Sequence, residues 1–300
     1  MHGYLSLFRL RLLPSAFCDV LAGVAIAGSL SEAPLPRLFL VLAASGLLYA
    51  SGMAWNDIAD VKRDRALHRR EKALVQGSAS LAVASILAVC CSGLGLGLLL
   101  WQGLGLHGSI LLGCILLYDF VGTRIAPFGL LLLPLCRMLN IALGMQVCAA
   151  PGFDPFTLLQ THPPEAENAL FLLLCYGVYV GLAVAHGRLE DQQQPSYRSS
   201  RLLLRLAGLS LLLTSIFSAS PSFAIAAALP MLFSIGFHDG KTQGTTPPPM
   251  GAGTGVLLRG LSQFGVVLAL GAGDLWAAAI STLLAYALPR ILRLSAARLT

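Results

Sequence analysis

Charge is scarce in this sequence. Asp, Glu, Lys and Arg make up 11% of its 300 residues, against 56% hydrophobic side chains, whereas a soluble chain is roughly 25% charged. So few polar residues could not cover one compact soluble core, and the mean hydropathy of +0.76 agrees. The low charge also excludes disorder. There is no CxxC pair and no neighbouring His pair. Cys18, Cys90, Cys91, Cys114, Cys136, Cys148 and Cys175 are scattered through apolar segments, as small buried side chains rather than disulfides or a metal site. Strand alternation, a fixed-period repeat and a soluble domain are all absent. What remains is an all-α polytopic membrane protein, one domain over residues 1–300.

Apolar segments run over about 14–30, 37–56, 79–101, 107–123, 126–149, 169–187, 202–219, 221–237, 256–272 and 275–292. A helical crossing takes about 20 apolar residues, so nine transmembrane helices are expected. The number becomes ten if 202–237 forms two short spans around Pro221 rather than one broken element. The first segment follows Arg9 and Arg11 and reads as an uncleaved helix rather than a signal peptide. The stretch His238 to Gly255, with Pro247, Pro248 and Pro249 amid Gly and Thr, reads as a flexible loop.

The net charge of +6 does not indicate nucleic acid, because the bases are clustered. Lys62, Arg63, Arg65, Arg69, Arg70 and Lys72 share one gap; Arg188, Arg198, Arg201 and Arg205 share another; Arg124 stands in a third. The alternate gaps are nearly free of Lys and Arg, and 150–168 carries Asp154, Glu165 and Glu167. By the positive-inside rule this places the N-terminus in the cytoplasm.

The second apolar segment runs straight into Asn56-Asp57-Ile58-Ala59-Asp60-Val61-Lys62-Arg63-Asp64. Its three carboxylates at i, i+3 and i+7 lie on one helix face and repel one another. Mg²⁺ is held by one or two carboxylates plus substrate phosphates, and Asn56 adds an amide oxygen. The plainer reading is a solvated helix end of mixed charge, since Lys62, Arg63 and Arg65 interleave with the acids. Acids at a membrane edge are costly and usually functional.

Asn56, Asp57, Asp60 and Asp64 resemble the NDxxDxxxD motif of the UbiA superfamily of intramembrane prenyltransferases, at the same place: the end of helix 2, before a basic loop. Ala73 stands where that family often has Pro. Leu117-Tyr118-Asp119, Arg124 and the stretch Cys136-Arg137-Met138-Leu139-Asn140 are similar to the UbiA-like EboC subgroup, with Arg124 one residue out of register for the subgroup's Lys. The resemblance covers most of the chain and implies helices around a central cavity.

It also implies roles. Asp57, Asp60 and Asp64, with Glu190 or Asp191 across the cavity, would hold Mg²⁺ against the diphosphate of an allylic polyprenyl donor. Asn56, Tyr118, Arg124, Arg137, Asn140 and Arg188 would line the substrate site, and the prenyl group would pass to an aromatic or lipid acceptor. Glu190 and Asp191 depart from the family's DxxxD-like pair. Adjacent residues point about 100° apart on a helix, so only one of them could reach a metal. This departure supports an alternative, a catalytically altered accessory or lipid-binding member. A membrane transporter using Arg137 and the acidic cluster is a further alternative. Arg137, at membrane depth, is either a diphosphate or carboxylate ligand or the partner of an acid from another helix; Asn140 is a substrate contact or a helix–helix hydrogen bond. His186 is expected to pair with Glu190 at i+4, whereas His2, His107 and His162 read as loop residues. Family resemblance suggests a bacterial inner membrane.

Overall fold

The computed structural model describes residues 4, 7–69, 72–148, 163–190, 192, 196–243 and 247–297. These residues are helical, with no strand among them. In chain order the helices are α1 (Leu13–Ala27), α2 (Leu35–Ala66), the one-turn α3 (Ala73–Gln76), α4 (Leu81–Trp101) and α5 (Gly105–Leu117). A π turn (Tyr118–Gly122) continues α5, followed by α6 (Ala126–Cys148) and α7 (Pro163–Glu190). The last four are α8 (Tyr197–Ile216), α9 (Pro221–Lys241), α10 (Met250–Gly271) and α11 (Leu275–Ala297).

Among the described residues, eight helices are long and apolar enough to cross a membrane; α1 and the apolar part of α11 are shorter. Each corresponds to an apolar segment of the sequence. The stretch 202–237 resolves into α8 and α9, with Pro221 in the first turn of α9, where its missing N–H costs nothing. Large apolar side chains such as Trp101, Leu106, Phe233 and Trp276 point outward, as lipid-facing residues must.

The expected flexible loop between His238 and Gly255 is shorter than its composition suggests. Helix α9 continues to Lys241 and α10 begins at Met250; residues 244–246 lie outside the described set. Glycine ordinarily weakens a helix. Here Gly251 and Gly253 face Glu190 and His186 of α7 closely, and packing outweighs propensity.

Helix α1 is hydrophobic nearly all round and, Phe17 apart, buried from Pro14 to Ala25, the pattern of a central helix. It packs against α6, α10 and α11. The α1–α6 crossing needs glycine on both sides. A Cβ on Gly23 would strike the Ile141 carbonyl, and one on Gly144 would strike that of Val20.

Candidate functional site

Helix length positions the acids. At 1.5 Å per residue, Asp57 stands roughly 33 Å beyond Leu35, just past a hydrocarbon core of about 30 Å. The helix then continues as a solvated extension, and its acidic face turns inward: Asp57, Asp60 and Asp64 are all buried.

Each acid has a basic partner. Asp57 Oδ1 accepts from Lys72 Nζ at 2.5 Å and from Arg9 Nη2 at 3.0 Å. Asp60 takes Arg63 at 2.8 Å, and Asp64 takes Arg69 at 3.4 Å. Lys72 is fixed by α3, whose Ala73 and Leu74 dock with Leu7, Val61 and Ala84. Ala73 begins that one-turn helix, a position where Pro would also fit.

Across from α2, the π turn presents Tyr118 and Asp119. Single π turns of this kind recur at functional sites. The turn is held by Phe120 against Trp55, ring centroids 5.9 Å apart. Arg188 of α7 donates to the Gly122 carbonyl at 2.8 Å, crossing Gly129 where a Cβ would collide with its guanidinium.

These elements enclose a cavity of about 360 Å³. Its polar end carries Asp60, Asn56, Tyr118, Arg63, Lys72 and Arg188, with Arg9 and Arg69 beside them; Leu133, Val180, Leu258 and Leu261 form its apolar side. Arg9, Arg69 and Lys72 are members of the site that the motifs alone do not single out, although two of them belong to the basic gap already noted.

The structure departs from several sequence expectations. Arg124 is exposed after the π turn and is not among the lining residues; Arg188 supplies the base on that side. Glu190 is exposed, lies against Gly251, and does not line the cavity. Gly187 and Arg188 are the α7 residues that do, and Glu190 is rotated roughly 200° from Arg188 at two residues' spacing. The expected acid across the cavity is therefore not supplied by Glu190. Asp191 lies outside the described residues. His186 pairs not with Glu190 but with Ser200 Oγ (2.7 Å) and Thr254 Oγ1 (3.1 Å). His107 lies within α5 rather than a loop, its ring bridging the Leu139 carbonyl (2.8 Å) and Gln146 (2.9 Å) of α6. His2 and His162 lie outside the described residues.

Arg137 has found an acid from another helix. Its guanidinium meets Asp19 of α1 at 3.0 Å and donates to the Tyr176 hydroxyl and the Ser15 carbonyl. Asn140 donates to Asp19 (3.3 Å) and the Ala16 carbonyl (2.9 Å) and accepts from Ser45 (2.7 Å). One edge of Arg137 still lines the cavity. The sequence motifs do not point to Asp19, although a lone acid inside an apolar segment is itself a signal.

The carboxylates match what Mg²⁺ requires: hard oxygen donors on one face, beside room for a phosphate. Among the described residues no three-ligand cage stands preformed. A metal there needs a ligand that also draws the bases off the acids, and a diphosphate is such a ligand.

The profile of the UbiA prenyltransferase family matches residues 17–298. This chain belongs to that family. The match is to UbiA as a whole rather than to the EboC subgroup, and it displaces the transporter reading. Two fungal relatives align over a short stretch. The polyprenyl transferase ausN of Emericella nidulans is 37% identical over 86 residues, 26% of either chain. That of Aspergillus calidoustus is 38% identical over 87 residues, 26% of this chain and 24% of the relative. The chain thus spans about a quarter of the curated relatives it matches, and both being fungal lends no support to a bacterial membrane. Among solved structures, the apo UbiA homologue from Aeropyrum pernix K1 superposes with a TM-score of 0.63 at 15% identity, covering 88% of this chain and 97% of that one. A UbiA homologue from Archaeoglobus fulgidus bound to GPP and Mg²⁺ gives 0.57 at 15% identity, covering 89% and 99%. These likenesses fix the UbiA fold, and with it an integral multi-pass membrane protein.

Proposed function

We propose that this UbiA protein is a Mg²⁺-dependent intramembrane prenyltransferase, moving a polyprenyl group from an allylic diphosphate to an aromatic or lipid acceptor. One observation carries the reading: Asp60, with Asp57 and Asp64 beside it on the same buried helix face, and five bases (Arg9, Arg63, Arg69, Lys72, Arg188) stand at the polar end of a cavity whose other side is apolar; of the three acids Asp60 is the one that lines it. That juxtaposition suits a diphosphate joined to a hydrocarbon chain. Asp57, Asp60 and Asp64 would hold Mg²⁺, which when bound neutralises phosphoryl oxygens and eases departure of pyrophosphate. Arg188, braced on the Gly122 carbonyl, and Lys72, braced by α3, face the charge that grows on the leaving group. Leu133, Val180, Leu258 and Leu261 keep water from the allylic carbon. The bases of α2, α7 and α8 gather toward this end of the bundle, which supports placing it, with Arg9 and the N-terminus, on the cytoplasmic side.

Asp57→Asn is expected to lower Mg²⁺-dependent prenyl transfer by about 100-fold or more, the scale of losing one stabilising group. Near-normal turnover would remove Asp57 from the site. The position of Glu190 outside the cavity favours a second reading, a member that binds donor without turning it over. Release of pyrophosphate from geranyl diphosphate by the wild-type protein separates the two.

A further inference from the structure

Beyond the diphosphate end, one buried acid has no role in the chemistry described so far. Asp119 is 2% exposed, and its Oδ2 has no hydrogen-bond partner. This oxygen faces α2, where a Cβ on Gly52 would lie 4.0 Å from it. Asp119 and Gly52 line a second pocket of about 80 Å³, walled mainly by apolar side chains such as Leu48, Ile115 and Cys136. Tyr49, Met53 and Tyr118 line both this pocket and the larger cavity, so the two share a wall.

Two charged groups line the small pocket, Arg137 and Asp119. Arg137 is held by Asp19 and Tyr176. The charged atom left to meet a ligand is therefore an acceptor, Asp119 Oδ2. A buried acceptor without a donor is costly, and a ligand hydroxyl removes that cost. A ligand carboxylate brings no proton to that oxygen and would leave it unmet.

Resting on the prenyltransferase reading above, we propose that Asp119 is the base that receives the acceptor, and that the acceptor presents a neutral hydroxyl to this pocket rather than a carboxylate. The bond between the allylic carbon and the diphosphate oxygen breaks, its electron pair leaving with pyrophosphate. The acceptor oxygen uses a lone pair to form the new carbon–oxygen bond. Its proton passes to Asp119 Oδ2. The product is a prenyl ether and the atoms balance without a further reactant.

The test uses full-length protein in detergent with geranyl diphosphate and Mg²⁺, and 4-ethylphenol or 4-ethylbenzoate as acceptor probe. Pyrophosphate, prenylated product and geraniol are each quantified. Wild-type protein is expected to prenylate the phenol in preference to the benzoate. In Asp119→Asn the ether formed per pyrophosphate released is expected to fall about 100-fold, with water-captured geraniol taking its place. A purely structural role would not move that partition. Should Asp119→Asn not purify folded, Asp119→Glu decides, because it restores the acid at a shifted position and should return part of the ether yield. Ether formation unchanged in Asp119→Asn, no ether yield in Asp119→Glu, preference for the benzoate, or pyrophosphate release without any phenol product overturns the inference. A wild-type protein that neither binds nor ionises the donor instead overturns the prenyltransferase reading beneath it.

Discussion

At the residue scale, the pair that joins α1 to α6 is a buried carboxylate and a buried guanidinium. Asp19 is fully buried and Arg137 nearly so, 3.0 Å apart, with Tyr176 donating to the same carboxylate oxygen at 2.7 Å. Removing one member leaves the other uncompensated in a low-dielectric interior, a loss of about 3–5 kcal/mol, whereas replacing both with apolar residues can be nearly neutral. Arg137→Met and Asp19→Leu are each expected to lower the thermal unfolding midpoint in detergent sharply, and the double variant to recover most of it. Additive losses would show that the two residues act independently. The sequence offered both readings of Arg137, because its neighbours show only that a buried cation needs an anion. Which anion depends on a helix more than a hundred residues earlier in the chain, and local pattern carries no such information. The acids of α2 were legible for the opposite reason: their spacing is contained in a single helix.

At the scale of elements, hydropathy marked the helices well because a membrane span must satisfy its backbone internally and cover itself with apolar side chains. Their ends were less legible. Helix α10 starts within a Pro/Gly-rich stretch because Gly251 and Gly253 fit closely against α7, a tertiary contact that overrides propensity. Past the turn from α5 into α6, Arg124 is exposed, and Arg188 of α7 is the cation that lines the cavity on that side. The α1–α6 crossing is the most exacting joint. Gly144→Val would drive a side chain into the Val20 backbone, and overpacking typically costs about 1–3 kcal/mol. Because the same crossing seats Asp19 beneath Arg137, this variant is expected to lose both thermal stability and donor binding. Retention of wild-type stability would show that the two helices can separate without cost.

At the scale of the molecule, the arrangement amounts to a membrane bundle with one polar end cut into it. Exposed apolar side chains ring the outside, the central α1 ties α6, α10 and α11 together, and the cavity opens among α1, α2, the π turn, α6, α7 and α10. Arg9, Lys72, Arg63 and Arg69 sit on the acids of α2. The central claim is that a prenyl diphosphate together with Mg²⁺ takes over both sets of charges. Its most direct test is equilibrium binding of a non-hydrolysable farnesyl diphosphate analogue to the detergent-purified protein, with and without Mg²⁺, alongside Asp60→Asn. Tight binding that requires Mg²⁺ and is lost in Asp60→Asn is the expected result. Binding indifferent to both Mg²⁺ and Asp60, or no binding at all, would contradict it.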